Sequence, residues 1–255
     1  MTKLLAIDIG NTQTTVGLFD GGALCDTWRL STRVARTGDE LWIVLSHLLG
    51  LDRGESAARY SVSISSVVPE LTHVYSDMIK ARIHVDPLVI TSDTVHSLKN
   101  AYVPPEAVGP DRLCGAVAAH KQWGGPLILV DMGTATVFDV ISEDGTYLGG
   151  LIAPGLLTAA ESLHRTAALL PVVDLKFPSS VIGGSTEEAI QAGIVYGALE
   201  MIDGVVERIQ KQLTKPAHVV ATGGFALLLQ PRSRTIQRVE PDLVLHGIRY
   251  ITEEQ

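Results

Sequence analysis

Cysteine is scarce in this chain: 255 residues contain two, Cys25 and Cys114. They lie far apart and in no metal or redox spacing, which excludes a disulfide framework, a zinc site and a dithiol motif. The expectation is two reduced, buried thiols of a cytoplasmic protein. Long hydrophobic runs are missing as well, and no stretch reads as long enough to span a membrane. The N-terminus has one lysine and then an apolar strand, without the apolar region and cleavage site of a secretory leader. Basic runs are absent too. Lys+Arg number 20 against 28 Asp+Glu, a net charge of −8. That balance suits solubility and leaves no electrostatic footprint for nucleic acid. What the chain does have is apolar residues, 46% of the total, ample for a packed core at this length.

The most informative stretch is Leu4 to Thr15, LLAIDIGNTQTT. Leu4, Leu5, Ala6 and Ile7 read as a buried strand. Asp8 puts a carboxylate where the strand should end. Gly10 permits a tight turn with the backbone close to a ligand. Ile9, Asn11, Thr12, Gln13, Thr14 and Thr15 complete the turn and its return strand. Small polar side chains and backbone N–H groups make such a turn a phosphate cradle. A carboxylate beside it is what a phosphate-bound Mg²⁺ takes, because that ion prefers hard oxygen ligands. The competing reading is a plain Asx-type hairpin turn with Asp8 solvated at the edge.

A second copy decides between the two. Leu127 to Val137 reads LILVDMGTATV. At a constant offset Ile7 falls on Val130, Asp8 on Asp131, Gly10 on Gly133 and Asn11 on Thr134. Downstream, Asp20-Gly21-Gly22 falls on Glu143-Asp144-Gly145. Each half therefore opens strand, Asp-x-Gly turn, strand, acidic-Gly turn, strand, and an internal repeat of this kind sets the fold. Two such halves suggest a nucleotide held in a cleft between them, and the chain thereby resembles the actin, Hsp70 and sugar-kinase superfamily. The resemblance implies an α/β fold of two actin-like (ribonuclease H-like) βββαβαβα domains, residues 1–113 and 114–255.

The rest of the first half fits that plan. Leu24 to Leu30 completes a three-strand meander. Asp39 to Leu49 has Leu41, Val44, Leu45 and Leu48 on one helical face. Tyr60 to Val68 is a strand, followed by a helix carrying Leu71, Val74, Tyr75 and Met78. Val85 to Ile90 is a short strand, with Pro87 at its start or at an edge. Tyr102 to Arg112, YVPPEAVGPDR, is a loop by its prolines and its lack of period. It ends in Gly109-Pro110-Asp111-Arg112, ahead of a small-residue helix. Proline and aspartate at a helix start are ordinary capping chemistry. They also read as a carboxylate that takes a hydroxyl proton beside a guanidinium that grips a carboxylate.

In the second half, Gly149 to Gly155 reads as a strand that turns sharply into a helix over Leu156 to Leu169. Ser185 and Thr186 precede a long helix, Glu187 to Leu213, as an N-cap would. Gly193 and Gly197 lie four apart along it. Glycine weakens a helix, so the expectation is a close contact there with a second subunit or the other domain. His218 to Ala221 is a strand, Thr222-Gly223-Gly224 a turn, Phe225 to Leu229 helical, and Leu243 to Ile251 a closing helix.

Taken together these residues resemble the type III pantothenate kinase family, within the actin, Hsp70 and sugar-kinase superfamily. The resemblance is carried by Asp8 to Thr12, Gly109 to Arg112, Asp131 to Ala135, Gly149 to Gly155, Thr166 to Pro171 and the block from Thr186 to Gly204. Gly-x-Asp-Arg between the two phosphate loops is its specific part. It also argues against a sugar or acetate kinase or an exopolyphosphatase. Two positions depart from the pattern: Val137 stands where a second threonine is expected, and Gly183-Gly184 replaces a basic residue.

The resemblance implies transfer of the ATP γ-phosphate to the primary hydroxyl of pantothenate, giving 4′-phosphopantothenate in the first step of coenzyme A synthesis. It implies that Asp111 is the base and that Tyr102, Gly109, Pro110, Asp111 and Arg112 bind pantothenate. Thr186 would reach that site from the partner of a homodimer. Asp8 to Thr15 and Thr134 would hold ATP phosphates, with Mg²⁺ at Asp8 and a monovalent cation, K⁺ or NH₄⁺, at Asp131. A second implied reading is a non-catalytic accessory factor in transcription. The presence of Asp8, Asp111 and Asp131 together favours an enzyme.

Overall fold

In the computed structural model, which describes residues 3–51 and 59–255, β1 (Lys3–Ile9) is buried along nearly its whole length. A strand apolar on both faces belongs inside a sheet. β1 accordingly pairs antiparallel with β2 (Gln13–Asp20) and parallel with β4 (Tyr60–Ser66). β3 (Ala23–Ser31) and β5 (Leu88–Val89) form the edges, in the order β3-β2-β1-β4-β5. Two helices connect these strands, α1 (Gly38–Leu48) and α2 (Pro69–Arg82). α1 starts at a capping box: Thr37 N–H donates to Glu40 Oε2 at 2.8 Å and Glu40 N–H to Thr37 Oγ1 at 3.3 Å. α2 starts with Pro69, whose fixed φ and missing N–H suit a first helical turn. Leu41, Leu45, Tyr75, Met78 and Ile79 from these helices bury against Leu5, Ile7 and Ile9. After the two-residue β6 (Lys99–Asn100) and the proline-rich loop comes α3 (Pro110–Trp123).

The second copy begins with β7 (Leu127–Met132), β8 (Ala135–Ile141) and β9 (Thr146–Pro154). The two helices expected after the meander follow, α4 (Leu156–Thr166) and the long α5 (Thr186–Gln210). Then come β10 (His218–Thr222), α6 (Ala226–Leu229), β11 (Arg238–Val239) and α7 (Leu243–Thr252). Within this half the order is β11-β10-β7-β8-β9, with β10 parallel and β8 antiparallel to β7.

The chain divides into two compact units, one running to Ala118 and including Leu243–Gln255, the other Ala119–Asp242. The division falls inside α3, and the closing helix sits with the first unit rather than the second. The cause is its apolar face. Leu243, Leu245, Ile248 and Ile251 are buried where α7 packs on β1, β2 and β4. Thr252 Oγ1 donates to Ser63 Oγ at 2.8 Å. Gly247 lies so close to α3 that a Cβ would stand 1.9 Å from the Cys114 carbonyl oxygen.

Two readings of residue type change. Cys114 is buried as expected, but Cys25 is exposed because β3 is an edge strand. α5 is, by length and composition, long and apolar enough to cross a membrane. Half of its apolar window is buried inside the fold, however, against the β7, β8 and β10 core. The glycines of that helix, Gly193 and Gly197, have open space where a Cβ would stand among the described residues.

α5 is fastened by a buried carboxylate. Asp203, fully buried, accepts hydrogen bonds from Ser233 Oγ at 2.6 Å, Thr235 Oγ1 at 2.7 Å, Arg234 N–H at 2.9 Å and Thr235 N–H at 3.2 Å. Burial alone would raise its pKa, but these donors outweigh it and hold the group below the usual aspartate value. A lowered folded pKa means stability that is present above the unfolded pKa and lost as pH falls through the folded one. Asp203→Ala is expected to cost about 3 kcal/mol by leaving these buried donors unpaired. A thermal melt at neutral pH checks this, and the difference from wild type should shrink under acid conditions.

Candidate active site

In the first unit, β1 is held on both sides, so Asp8 has a fixed place at its end. The turn closes with Gly10 N–H on the Gln13 carbonyl at 3.1 Å, and Thr32 N–H donates to the Thr12 carbonyl at 3.0 Å. Asp8 lies opposite Thr15, and Ile9 opposite Thr14. Strand alternation therefore puts Thr15 on the face of Asp8 and turns Thr14 inward with Ile9. Thr14 is buried and its hydroxyl shares a 2.9 Å hydrogen bond with Thr32 Oγ1. Asn11 and Gln13 are exposed, while Asp8, Gly10 and Thr12 are half-buried.

The loop before α3 brings the next residues into place. Asn100 staples it: its Oδ1 accepts from Tyr102 N–H at 3.0 Å and its Nδ2 donates to the Pro105 carbonyl at 3.0 Å. The Arg112 guanidinium lies 5.9 Å from the centroid of the Tyr102 ring. Pro110 opens α3, so Asp111 falls in the first turn of the helix rather than ahead of it. The Asp111 carboxylate folds back over that helix start, where Oδ1 accepts from Arg112 N–H at 2.8 Å. A Cβ on Gly109 would stand 2.5 Å from the same oxygen, so glycine leaves the room this carboxylate occupies. Burial raises the Asp111 pKa, and the Arg112 N–H and charge offset part of that rise.

Cys114, one helical turn beyond Asp111, connects these two regions. Its buried thiol is pushed well above the usual range by burial first, and then by the negative charges of Asp8 and Asp111. Two carboxylates from distant parts of the sequence thus act on one buried sulfur. Ser65, buried on β4, donates from Oγ to Asp8 Oδ1 at 3.1 Å. Neither Ser65 nor Cys114 was a site candidate from sequence. The available signals were Ser65 at a strand end and Cys114 at helical spacing from Asp111.

The second unit repeats the first loop with a change. Met132 pairs with Thr136, leaving 133–135 as the turn, whereas Ile9 pairs with Thr14 and leaves 10–13. The second turn is one residue shorter. Thr136, not the residue at constant offset, is therefore the counterpart of Thr14, and both are buried. The threonine missed at Val137 is present one position earlier. Thr134 is exposed at the turn, and its carbonyl accepts from Thr158 Oγ1 at 2.6 Å and Gly155 N–H at 3.2 Å. A Cβ on Gly155 would stand 2.4 Å from the Gly133 carbonyl oxygen. Gly223, at φ +87°, leaves 2.5 Å between such a Cβ and Asp131 Oδ1. These two glycines wedge the turn and the half-buried Asp131 in place.

Thr186 is the first residue of α5 and exposed; the N-cap is Ser185, which accepts from Glu188 N–H at 3.2 Å. Thr186 lies at an apolar groove of about 670 Å³ between α4 and α5, which Pro154, Gly193, Ile194, Gly197 and Met201 also line. Asp8, Tyr102, Asp111 and Arg112 all belong to the first unit. Asp131, Thr134 and Thr186 belong to the second unit.

Comparison with known proteins points to one family. The profile of the type III pantothenate kinase family matches residues 4–208. The type III pantothenate kinase of Thermomicrobium roseum is 43% identical over 249 residues, covering 96% of this chain and 95% of that one. That of Moorella thermoacetica is 43% identical over 253 residues, covering 98% of each. Among solved structures, the ROK hexokinase of Thermus thermophilus aligns over 100% of both chains with a TM-score of 0.52 at 17% identity. That likeness shows the duplicated actin-like fold of the sugar kinases. The family match and the full-length relatives show more: the chain belongs to the type III pantothenate kinase family.

Proposed function

We propose that the chain transfers the γ-phosphate of ATP to the primary hydroxyl of pantothenate, with Asp111 as the base. The observation that carries this is a single unit that holds both carboxylates in fixed places, Asp8 by the Ser65 hydroxyl and Asp111 by the Arg112 N–H at the start of α3. It supports a phosphate-loop carboxylate and a proton-accepting carboxylate serving one reaction. The pantothenate oxygen bonds to the γ-phosphorus, the bond to the ADP oxygen breaks, and the hydroxyl proton passes to Asp111. Phosphoryl transfer asks mainly for positioning and charge neutralisation. A base made stronger by burial and aimed by Gly109 and the Arg112 N–H meets that need. Tyr102, Gly109, Pro110 and Arg112 shape the pantothenate site around it.

The donors also fit the ions this chemistry uses. Among the described residues no three His, Cys, Asp or Glu side chains gather into a metal cage. One carboxylate in each loop is instead the donor set for a cation that arrives with phosphates and water. Mg²⁺ binds in that manner, and Asp8 would hold it, neutralising phosphate charge when bound. Asp131, together with backbone oxygens of its turn, suits a monovalent cation. Asp8 to Thr15 and Thr134 cradle the ATP phosphates.

A homodimer accounts for the apolar groove. Gly193 and Gly197 open toward space, and Ile152, Leu157 and Leu163 are exposed on the α4 side. A second copy seated there covers this face and brings Thr186 to its partner's pantothenate site. The two free thiols support a cytoplasmic setting.

A coupled ATP-consumption assay with pantothenate and Mg²⁺, run in potassium and then in sodium, tests the reading. Pantothenate-dependent turnover is expected, faster in potassium. Turnover in both salts alike would remove the cation role of Asp131, and none in either would overturn the kinase reading. Asp111→Asn is expected to lower kcat by about 10²-fold or more with ATP affinity kept. Because the Asp111 pKa is raised, stability from this group is present below the unfolded pKa and lost as pH rises through the folded one. The Asn variant should therefore melt no lower than wild type at pH 7. Gly223→Ala, which drives a methyl into Asp131, is expected to lower kcat/KM for ATP by about 10²-fold. Static light scattering should give the mass of two chains, and a single-chain mass would overturn the shared site.

A further inference from the structure

Both phosphate-loop aspartates have the same kind of neighbour. On the parallel side of β1, Ser65 of β4 is in register with Asp8. On the parallel side of β7, Thr222 of β10 is in register with Asp131. Both hydroxyl residues are buried, Ser65 completely and Thr222 to 7% exposure. The two halves thus place a hydroxyl beside the loop carboxylate by the same strand pairing.

In the first unit the contact itself is visible, Ser65 Oγ to Asp8 Oδ1 at 3.1 Å. Ser63, two residues earlier on the same face of β4, receives Thr252 of α7. Its hydroxyl serves packing between a helix and the sheet. Ser65 serves a charge. A buried hydroxyl costs desolvation unless it is bonded, and alanine would fill the strand without that cost. The hydrogen bond instead restricts how the Asp8 carboxylate turns. We infer that Ser65 is a positioning residue for Asp8, holding its carboxylate toward the cation that accompanies ATP, and that Thr222 fills the same place beside Asp131. This rests on the reading of Asp8 as the carboxylate that faces MgATP.

Three variants test it: Ser65→Ala, Ser65→Cys and Ser65→Thr. Cysteine has the shape of serine with a somewhat larger atom at its tip and is a poor donor. Threonine keeps the hydroxyl, and Thr222 shows that this register position accepts one. ATP binding would be measured by calorimetry with Mg²⁺ and again with EDTA, and pantothenate KM and thermal stability alongside. The expected result is MgATP binding about tenfold weaker in the Ala and Cys variants, with the Thr variant close to wild type. ATP binding in EDTA and pantothenate KM should stay within about twofold of wild type. MgATP binding unchanged in the Ala and Cys variants overturns the inference while leaving the kinase reading in place. So does an equal loss of every ligand together with a fall in thermal stability, which marks a merely structural serine. A wild-type protein whose ATP binding ignores Mg²⁺ overturns the reading of Asp8 and this inference with it. If the Thr variant does not fold, the Ala and Cys pair still decides.

Discussion

A strand hydrogen-bonded on both sides cannot shift along its axis without breaking two ladders at once, and the candidate site depends on that rigidity. β1 is locked between β2 and β4, and β7 between β8 and β10. Each has an aspartate as its last residue but one, ahead of a turn closed by a glycine N–H. The carboxylates are thus fixed by backbone pairing deep in each unit, and their surroundings need only refine an orientation already set. Glycines do the refining where side chains would collide. Gly109 makes room for Asp111, Gly155 for the turn at Gly133, and Gly223 for Asp131.

The two copies differ at their turns. The first turn is the longer and offers Asn11, Thr12 and Gln13 at its surface. The second is shorter and pressed between Gly155 and Gly223, with less freedom around its aspartate. A roomy turn suits a polyphosphate and its hydrated divalent ion. A wedged one suits a site that also draws on backbone oxygens. Around Asp111, burial has two effects: it strengthens the carboxylate as a base, and it makes the same carboxylate a local burden on folding. Functional groups commonly show this opposition, because an environment tuned for reaction is seldom the one that favours the fold.

Much of this was legible in the sequence because it is local. The apolar run into Asp8, the repeat at Asp131, the meander in each half and the loop ending at Arg112 are written in neighbouring residues. What escaped depends on pairing between distant ones. A constant offset between the copies hid the shorter second turn and so misplaced its threonine, which is Thr136. Cys25 reads as buried by residue type, but its exposure follows from β3 being an edge, a property of the sheet. Ser65 looks like an unremarkable strand-end serine until β4 is laid parallel to β1. The amphipathic pattern of α7 announces a helix and says nothing about which sheet it will cover.

That last point has a consequence for how the protein is made. Residues 243–255 complete the unit that holds Asp8 and Asp111, yet they are translated after the whole of the other unit. Until they leave the ribosome, the faces of β1, β2 and β4 that α7 covers have no helix to shield them. The second unit has all of its strands in one continuous stretch and can close while synthesis continues. Of the two units, the one that emerges earlier in the nascent chain is therefore the later to be finished. During that interval its open apolar sheet is a surface for chaperones to guard.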